Sequence, residues 1–178
     1  FDHDNRLDIA VANNGTDNIM ILLGSGLGTF SRQTNYTNGD GSHPYSIAIA
    51  DFNNDSLLDI AVANYGSNNI GIRLGYGDGT LSNQTTYFTG EGSHPYSVVV
   101  CDFNNDTHLD IAAANYGSND VSLFLGYGNG SFMSQYTFSG GFESHPSALA
   151  VGDVNGDHVM DIIVANSGYG NYEVLSKC

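Results

Sequence analysis

A nine-residue acidic segment returns every 51 residues, and this feature constrains the fold more than any other. Three complete copies span residues 51–59, 102–110 and 153–161, and the chain opens inside a fourth copy at residues 1–8. A period of roughly 20–50 residues is typical of solenoids, propellers and repeat arrays. We therefore predict a single repeat array over residues 1–178. Its repeat units are residues 1–43 (partial), 44–94, 95–145 and 146–178 (partial).

Oxygen-bearing side chains occupy positions 1, 3, 5 and 9 of these acidic loops. Such a pattern suits a hard cation that takes about six to eight oxygen ligands, and it predicts calcium. The residue type at position 7 varies, as expected where the ligand is a backbone carbonyl. In the complete loops the predicted metal ligands are Asp51, Asn53, Asp55, Leu57, Asp59, Asp102, Asn104, Asp106, His108, Asp110, Asp153, Asn155, Asp157, Val159 and Asp161. The partial first loop contributes Asp2, Asp4, Arg6 and Asp8.

The charge of the chain is concentrated in the same loops. The formal net charge is −15, and the loops hold twelve of the 19 acidic residues. Carboxylates crowded in this way repel one another unless a cation lies between them, which again favours a metal. Only 4 residues are Lys or Arg, so a nucleic-acid partner is not expected, because phosphate contacts need positive charge. No apolar run reaches the length of a membrane span.

Between the acidic loops, short segments alternate large and small residues with a period of two, as strands do. In the second repeat unit we predict strands at residues 44–50, 59–64, 70–74 and 85–88. Four antiparallel strands per repeat describe the blade of a β-propeller, so the chain is predicted to be all-β with about three and a half blades. A β-solenoid is the alternative, although its coils are usually shorter. The glycine-rich segments after the third strand, such as residues 75–79, are predicted to be turns rather than nucleotide-binding loops, because no helical pattern follows them.

Two further features recur with the period. The three Ser-His-Pro segments at residues 42–44, 93–95 and 144–146 are interpreted as turns closed by histidine hydrogen bonds, with a shared metal or ligand site as the alternative. Six recurring tyrosines are interpreted as blade packing, with sugar stacking as the alternative. These tyrosines are Tyr45, Tyr65, Tyr76, Tyr96, Tyr116 and Tyr127.

At these residues the chain resembles the FG-GAP/VCBS repeat family, which includes the propeller heads of integrin α-subunits and many secreted proteins. The motifs that carry the resemblance are the acidic loop, the Asp-Ile-Ala-Val-Ala-Asn strand at residues 59–64 and the Gly-x-Gly-x-Gly-Thr-Leu segment at residues 75–81. The resemblance implies a seven-bladed propeller, with calcium in the loop that joins the first two strands of a blade. It also implies a role in adhesion or carbohydrate recognition.

Two departures from the family pattern carry expectations of their own. The family usually has Gly at loop positions 4 and 6, whereas the second unit has Asn54 and Ser56, so we expect weaker calcium binding or an altered loop shape. The length is only half of a seven-bladed ring. Such an array leaves blade faces bare, which predicts either further blades in a longer chain or self-association through the open ends.

Six N-glycosylation sequons are present, at Asn14, Asn35, Asn54, Asn83, Asn105 and Asn129. The two cysteines, Cys101 and Cys178, are too few for a disulfide scaffold, and pairing with each other, pairing between chains and free thiols all remain open.

The leading functional hypothesis is a non-enzymatic, calcium-stabilised module, secreted or at the cell surface, that takes a protein or glycan ligand in adhesion, binding or structural assembly. A propeller lectin is the alternative. An enzyme is not expected, because each prominent polar residue recurs with the period and no nucleophile elbow or zinc motif is present.

Overall fold

The structure is a computed structural model that describes residues 1–168 and 170–175, and these residues form fourteen strands in four separate antiparallel sheets. The first sheet contains β1 (Ile9–Asn13), β2 (Asn18–Gly24) and β3 (Phe30–Thr37), and the second contains β4 (Pro44–Ala50), β5 (Asp59–Asn64), β6 (Asn69–Arg73) and β7 (Thr85–Phe88). The third contains β8 (Pro95–Cys101), β9 (Asp110–Asn115), β10 (Asp120–Phe124) and β11 (Tyr136–Ser139), and the fourth contains β12 (Pro146–Gly152), β13 (Asp161–Asn166) and β14 (Asn171–Leu175). A single 3-10 turn at Asn14–Thr16 joins β1 to β2, and no described helix is long and apolar enough to cross a bilayer.

The strand boundaries agree closely with the sequence prediction. In the second unit β4, β5 and β7 have the predicted bounds, and β6 begins and ends one residue earlier than predicted. The glycine-rich segments form hairpin connections, since Gly75 pairs with Leu81 and Gly126 pairs with Phe132 as isolated bridges. A strand rather than a helix follows each of these two connections, which confirms that they are turns.

The four sheets are arranged as propeller blades. The first strands of the second, third and fourth sheets contact each other in turn, β4 with β8 and β8 with β12. Ser46 Oγ accepts a hydrogen bond from the backbone N–H of Val98, and Ser97 Oγ accepts one from Leu149, both at 3.2 Å. Separate antiparallel sheets of three or four described strands, packed through their first strands, are the arrangement of propeller blades, so the solenoid alternative is wrong. The described sheets do not close into a ring.

The core lies between the sheets and follows from the alternation within each second strand. In β5, Ile60 and Val62 pack against the first sheet, whereas Ala61 and Ala63 pack against the third, and all four side chains are fully buried. The small residues allow the sheets to approach, and the larger ones fill the layer between them.

Polar contacts repeat at the first two junctions between sheets. The hydroxyl of Tyr36 accepts a hydrogen bond from the N–H of Leu81 at 3.1 Å, and the hydroxyl of Tyr87 accepts one from Phe132 at 3.2 Å. Buried tyrosine hydroxyls usually find such partners. These bonds fix the outer strand of one blade to the glycine-rich hairpin of the next, and so set the position of the acidic loops.

Candidate functional site

The acidic loops join the first two strands of the second, third and fourth sheets, which places them all at the same end of the blades. In the second sheet, Asp51 Oδ1 and Asn53 Oδ1 both accept a hydrogen bond from the N–H of Asp55, at 3.1 and 3.3 Å. Asp51 Oδ2 accepts a bond from Ser56 at 2.7 Å, and Asp55 Oδ1 accepts one from Leu57 at 2.8 Å. The backbone N–H groups therefore turn the side chains at positions 1, 3 and 5 toward the loop.

The same network is present in the other two complete loops. In the third sheet, Asp102 Oδ1 and Asn104 Oδ1 accept from the N–H of Asp106 at 3.1 and 3.0 Å. In the fourth, Asp153 Oδ1 and Asn155 Oδ1 accept from the N–H of Asp157 at 3.2 and 2.9 Å. The three complete loops therefore share one hydrogen-bond pattern, although their residues at positions 4, 6 and 7 differ.

Positions 4 and 6 adopt left-handed backbone conformations in every loop, although most of the residues there are not glycine. In the second sheet φ is 59° at Asn54 and 67° at Ser56, and in the third it is 62° at Asn105 and 72° at Thr107. The expectation of weaker calcium binding or an altered loop shape stays a prediction. The loop keeps the conformation that glycine would favour, and a β-branched residue such as Thr107 is strained in it.

Position 9 has a second role that the sequence did not reveal. Asp59 is fully buried, with its Oδ2 accepting from the N–H of Phe52 and its Oδ1 from the N–H of Gly75, both at 2.8 Å. Asp110 makes the equivalent bonds to Phe103 at 2.9 Å and Gly126 at 2.8 Å. This aspartate ties the start of the acidic loop to the glycine-rich hairpin of the same blade.

The buried aspartates of the middle two loops have raised pKa values. Burial raises the pKa of Asp59, against the two backbone hydrogen bonds that lower it, and the negative charges of Asp55 and Asp51 raise it further. Asp110 behaves in the same way, with burial as the main cause and with Asp106 and Asp102 as the nearby charges. These two loops thus place negative charges near a fully buried carboxylate.

The first, third and fourth loops each carry a basic side chain near a carboxylate, with His108 near Asp106 in the third loop. In the first loop, Arg6 lies 3.4 Å from Asp4, and Asp8 accepts a bond from the N–H of Gly24. In the fourth loop, His158 Nδ1 lies 3.9 Å from Asp153 Oδ2. The middle two loops have no Lys or Arg ion pair among the described residues.

The donor chemistry of the loops fits calcium. Carboxylate and amide oxygens at positions 1, 3 and 5 are the ligands that a hard cation prefers, and their backbone bonds leave lone pairs available. Within the described residues, however, no three His, Cys, Asp or Glu side chains are grouped closely enough to hold a metal. The amide nitrogen of Asn53 donates to Asp55 Oδ2 at 2.9 Å, which leaves lone pairs on Asn53 Oδ1 and Asp55 Oδ1.

The Ser-His-Pro segments form turns at the opposite end of the blades from the complete acidic loops. The N–H of His94 donates to Asn68 Oδ1 at 3.0 Å, and its Nδ1 lies 3.0 Å from the carbonyl oxygen of Tyr65. His145 makes the same contacts to Asn119 and Tyr116, at 2.9 and 3.0 Å. These bonds support the interpretation of the histidines as turn-closing residues.

An aromatic ladder runs along this end of the second and third sheets and reaches the fourth. It consists of Tyr45, Tyr65, His94, Tyr96, Tyr116 and His145. Tyr45 lies 4.6 Å from Tyr96 between ring centroids and bridges the second and third sheets. His94 stacks on Tyr65 at 4.6 Å, and His145 stacks on Tyr116 at 4.7 Å.

Two of the six recurring tyrosines lie outside the ladder. Tyr76 and Tyr127 are exposed on the glycine-rich hairpins. Tyr45 and Tyr96 fall where the pairing of the first strand shifts register, just after its proline, and the sequence gives no signal for this irregularity. Tyr45 stays 44% exposed, so the ladder is open to solvent at its first ring.

The sequons differ in how open they are. Asn35 and Asn83 are exposed, on the outermost strand β3 and just before the outermost strand β7. The side-chain amide of Asn54 instead donates to the carbonyl oxygen of Gly128 in the next blade at 3.1 Å. Asn14 Nδ2 is buried without a hydrogen-bond partner in the described structure. Asn105 and Asn129 are exposed on loops.

Cys101 lies at the end of β8 and forms no disulfide within the described part of the chain. Burial raises the pKa of its thiol. Cys178 lies outside the described residues, so the pairing of the two cysteines stays open.

Comparisons with known proteins agree with this architecture. A family model described as an FG-GAP-like repeat matches residues 1–62, 51–113 and 102–164. A search of curated protein sequences finds no match. Among solved structures, streptogramin B lyase is similar with a TM-score of 0.61 and 18% identity, over 96% of this chain and 51% of that one. A lectin from Agrocybe aegerita that recognises non-reducing terminal N-acetylglucosamine is similar with a TM-score of 0.61 and 22% identity, over 96% of this chain and 48% of that one.

The chain therefore spans about half the length of these two solved structures. At such identities the likeness concerns the fold alone.

Proposed function

This chain belongs to the FG-GAP-like repeat family, and from that premise we propose that it is a calcium-stabilised, non-enzymatic propeller module that works outside the cell in adhesion, binding or structural assembly. The observation that carries the proposal is the common network of the three complete acidic loops. Each loop turns the oxygens of positions 1, 3 and 5 inward. In the middle two loops no Lys or Arg ion pair among the described residues offsets the negative charge.

In this proposal the cation is structural. Asp51, Asn53 and Asp55 would hold it in the second sheet with the backbone carbonyl of Leu57, and the buried Asp59 would support them from the base of the loop. The bound ion would supply the positive charge that offsets repulsion among the carboxylates. The protein holds the loop ready through the N–H groups of Asp55, Ser56 and Leu57.

The experiment is a thermal melt of the chain in calcium and in EDTA. A ligand that binds only the folded state stabilises it by about 2.7 kcal/mol per site at a hundred times Kd, so a clear fall in Tm is expected with EDTA. Added magnesium should restore less of the lost Tm than added calcium, because magnesium requires a tighter octahedral shell and keeps its bound waters. An unchanged melt would remove the calcium proposal.

Matched variants separate specific binding from a general effect of charge. Asp55→Asn and Asp106→Asn should each reduce the rise in Tm that calcium produces. Asp40→Asn removes the same charge from an exposed residue outside the acidic loops and should leave that rise unchanged. If all three variants respond alike, the loops are not the site.

The absence of catalysis is part of the same proposal. The acidic loops, the Ser-His-Pro turns and most of the aromatic rings recur from blade to blade with the same contacts. A repeated arrangement is what a scaffold needs, whereas a catalytic site is usually one constellation of different groups.

A carbohydrate-binding role is the second candidate, and the aromatic ladder is the observation that favours it. Partly exposed tyrosine rings offer flat apolar surfaces with a polar edge, which suits a sugar ring. One similar solved structure is a lectin. A glycan array should then give a hit that Tyr45→Ala or Tyr65→Ala abolishes, whereas Tyr76→Ala, on an exposed ring outside the ladder, leaves it intact. If no glycan on the array binds, the carbohydrate-binding proposal is wrong.

A further inference from the structure

Four Asn-Gly pairs occur in the chain, at residues 14–15, 38–39, 129–130 and 155–156. In such a pair the backbone nitrogen of the glycine can attack the side-chain carbonyl carbon of the asparagine, because glycine has no Cβ to hinder the attack. In a folded protein the rate of this step depends on how the nitrogen and the amide are held, since proximity and orientation govern reactions within one chain. The pair in the fourth acidic loop is held differently from the other three.

The attacking nitrogen of this pair is unhindered and contacts a carboxylate. Asn155 and Gly156 occupy positions 3 and 4 of the loop, and both are exposed. The N–H of Gly156 donates to Asp153 Oδ1 at 2.7 Å, so a carboxylate lies on the proton that the nitrogen must lose. Gly156 has a φ of 79°, and no heavy atom beyond its chain neighbours lies within 4 Å of the point where a Cβ would stand. The nucleophile is therefore accessible and has a proton acceptor.

The side chain of Asn155 is held at both polar atoms of its amide. Its Oδ1 accepts a hydrogen bond from the N–H of Asp157 at 2.9 Å. Attack on Cγ places negative charge on this oxygen, and a backbone N–H at such a distance stabilises an oxyanion. Its Nδ2, the leaving nitrogen, donates to Asp157 Oδ2 at 3.0 Å. The loop thus supplies a proton acceptor for the nucleophile and a donor for the developing charge.

The other three pairs are tied to contacts that oppose the same attack. The N–H of Gly130 donates to the carbonyl oxygen of Phe52 in the preceding blade at 3.0 Å, and a carbonyl oxygen is a weaker acceptor than a carboxylate. The amide of Asn38 donates to Asn64 Oδ1 in the second sheet at 2.9 Å, a bond that loss of the amide nitrogen would break. Asn14 Nδ2 is buried, away from the water that completes the reaction.

We propose that Asn155 is a self-catalysed modification site, at which the folded chain loses ammonia. The Gly156 nitrogen forms a bond to Asn155 Cγ and gives up its proton through Asp153 to solvent. The Cγ–Nδ2 bond breaks, and the nitrogen takes a proton from water and leaves as ammonia. The resulting succinimide ring joins residues 155 and 156. Water opens this ring at either carbonyl carbon and leaves aspartate or isoaspartate, so the net reaction consumes one water and releases one ammonia.

The reaction changes the fourth loop and spares the equivalent loops. Aspartate at position 155 adds a negative charge between Asp153 and Asp157, whereas isoaspartate lengthens the main chain of the loop by one carbon. The second and third loops have Asn54 and Asn105 at position 4, whose Cβ atoms hinder the same attack. An effect of the product on calcium binding rests on the function proposed above, but the reaction itself does not.

The experiment follows each asparagine by peptide mass spectrometry while the folded chain is incubated in EDTA at neutral pH. Water enriched in heavy oxygen marks the newly formed carboxyl group. Asn155 should react at least about tenfold faster than Asn38 and Asn129, because the loop orients its reacting groups. In the urea-unfolded chain the three should react at similar rates. Equal rates in the folded chain would overturn the proposal, and a melt that ignores calcium would leave it standing.

Two variants move the reaction from one loop to another. Gly156→Asn gives the fourth loop the residue type that the second and third loops have at position 4, so it should fold normally and should stop the reaction. Asn105→Gly should create the reaction at Asn104, whose amide makes the same two bonds to Asp106. If Gly156→Asn leaves the rate unchanged, or if Asn104 stays unreactive in Asn105→Gly, the proposal is wrong.

A third variant tests the proton acceptor. Asp153→Asn should slow the reaction by about tenfold, less than general-base catalysis usually contributes, because the Asp153 carboxylate is exposed to water. Asp102→Asn makes the same change in the third loop and should leave the rate at Asn155 unchanged. Circular dichroism checks that both variants are folded. A folded Asp153→Asn variant that reacts as fast as the unmodified chain would remove Asp153 from the reaction and overturn the proposal.

Discussion

The buried aspartate at position 9 allows the scaffold role of the acidic loop to be separated from its cation role. Asp59 is fully buried, and its two oxygens accept the N–H groups of Phe52 and Gly75 at 2.8 Å. In Asp59→Asn the amide nitrogen must face one of these donors, so one buried N–H loses its acceptor. That loss costs about 1–3 kcal/mol, and Asp59→Ala, which removes both acceptors, costs about 2–6 kcal/mol.

One effect opposes this cost. Burial raises the pKa of Asp59, so its ionised form is disfavoured in the folded state, and stability is lost as the pH rises through the folded pKa. The neutral amide of asparagine avoids the penalty of burying a charged carboxylate at neutral pH. The loss of unfolding free energy in Asp59→Asn should therefore lie toward the lower end of the 1–3 kcal/mol range, about 1 kcal/mol. With or without this opposing effect, the free energy of unfolding should be lowest for Asp59→Ala, intermediate for Asp59→Asn and highest for the unmodified chain.

The assay is urea unfolding at neutral pH in EDTA, so that no divalent cation contributes. Asp55→Asn is the matched control, because Asp55 is exposed and an asparagine oxygen can still accept the N–H of Leu57. It should lie within about 0.5 kcal/mol of the unmodified chain in EDTA. Asp110→Asn should reproduce the loss seen at Asp59, since its contacts are equivalent. If Asp59→Asn is neutral in EDTA, or no worse than Asp55→Asn, the scaffold role is refuted.

Three further predictions follow from the same contacts. Thr107→Gly should raise the free energy of unfolding by about 0.5–1 kcal/mol in urea titrations, because relief of the left-handed strain at a φ of 72° exceeds the entropy cost of glycine. Asn105→Gly should raise it less, because asparagine tolerates the left-handed conformation better than threonine. Backbone hydrogen bonds from His43 and Gly41 lower the pKa of Asp17, so Tm should fall as the pH drops through that lowered pKa, and Asp17→Asn should flatten this acid limb of the Tm profile. If the chain is secreted from a eukaryotic host, mass spectrometry should find glycans at the exposed Asn35 and Asn83 but not at Asn54, whose amide bonds Gly128.

Much of the fold can be read from the sequence because each local signal agrees with the others. The alternation of Ile or Val with Ala in residues 59–64 predicts a strand buried on both faces, and β5 has those bounds and that burial. Because the pattern repeats every 51 residues, a correct prediction for one repeat unit extends to all four sheets. Errors are small where turn residues mark the ends, as the one-residue difference at β6 shows.

The sites are harder to predict because they depend on contacts between segments distant in the chain. Asp59 has the same residue type as Asp51, and only the fold shows that it is buried against Gly75. The grouping of Tyr45 with Tyr96 depends on register shifts after two prolines, and no period-two pattern encodes these. The strain at Ser56 and Thr107 is likewise invisible to composition, since the fold imposes a glycine-like conformation on residues that resist it.

The two ends of each blade are held by different kinds of contact. At one end, hydrogen bonds to the backbone hold acidic side chains near one another, at the cost of strain at positions 4 and 6 and of a buried carboxylate at position 9. At the other end, histidine and tyrosine rings stack, and the backbone N–H groups of the histidines donate to Asp17, Asn68 and Asn119. The first end concentrates negative charge that the proposed cation would offset, whereas hydrogen bonds and ring contacts hold the second end. Removing calcium should therefore loosen the acidic end first, and hydrogen exchange in EDTA should increase at residues 51–58 and 102–109 before it increases at the turns around His94 and His145.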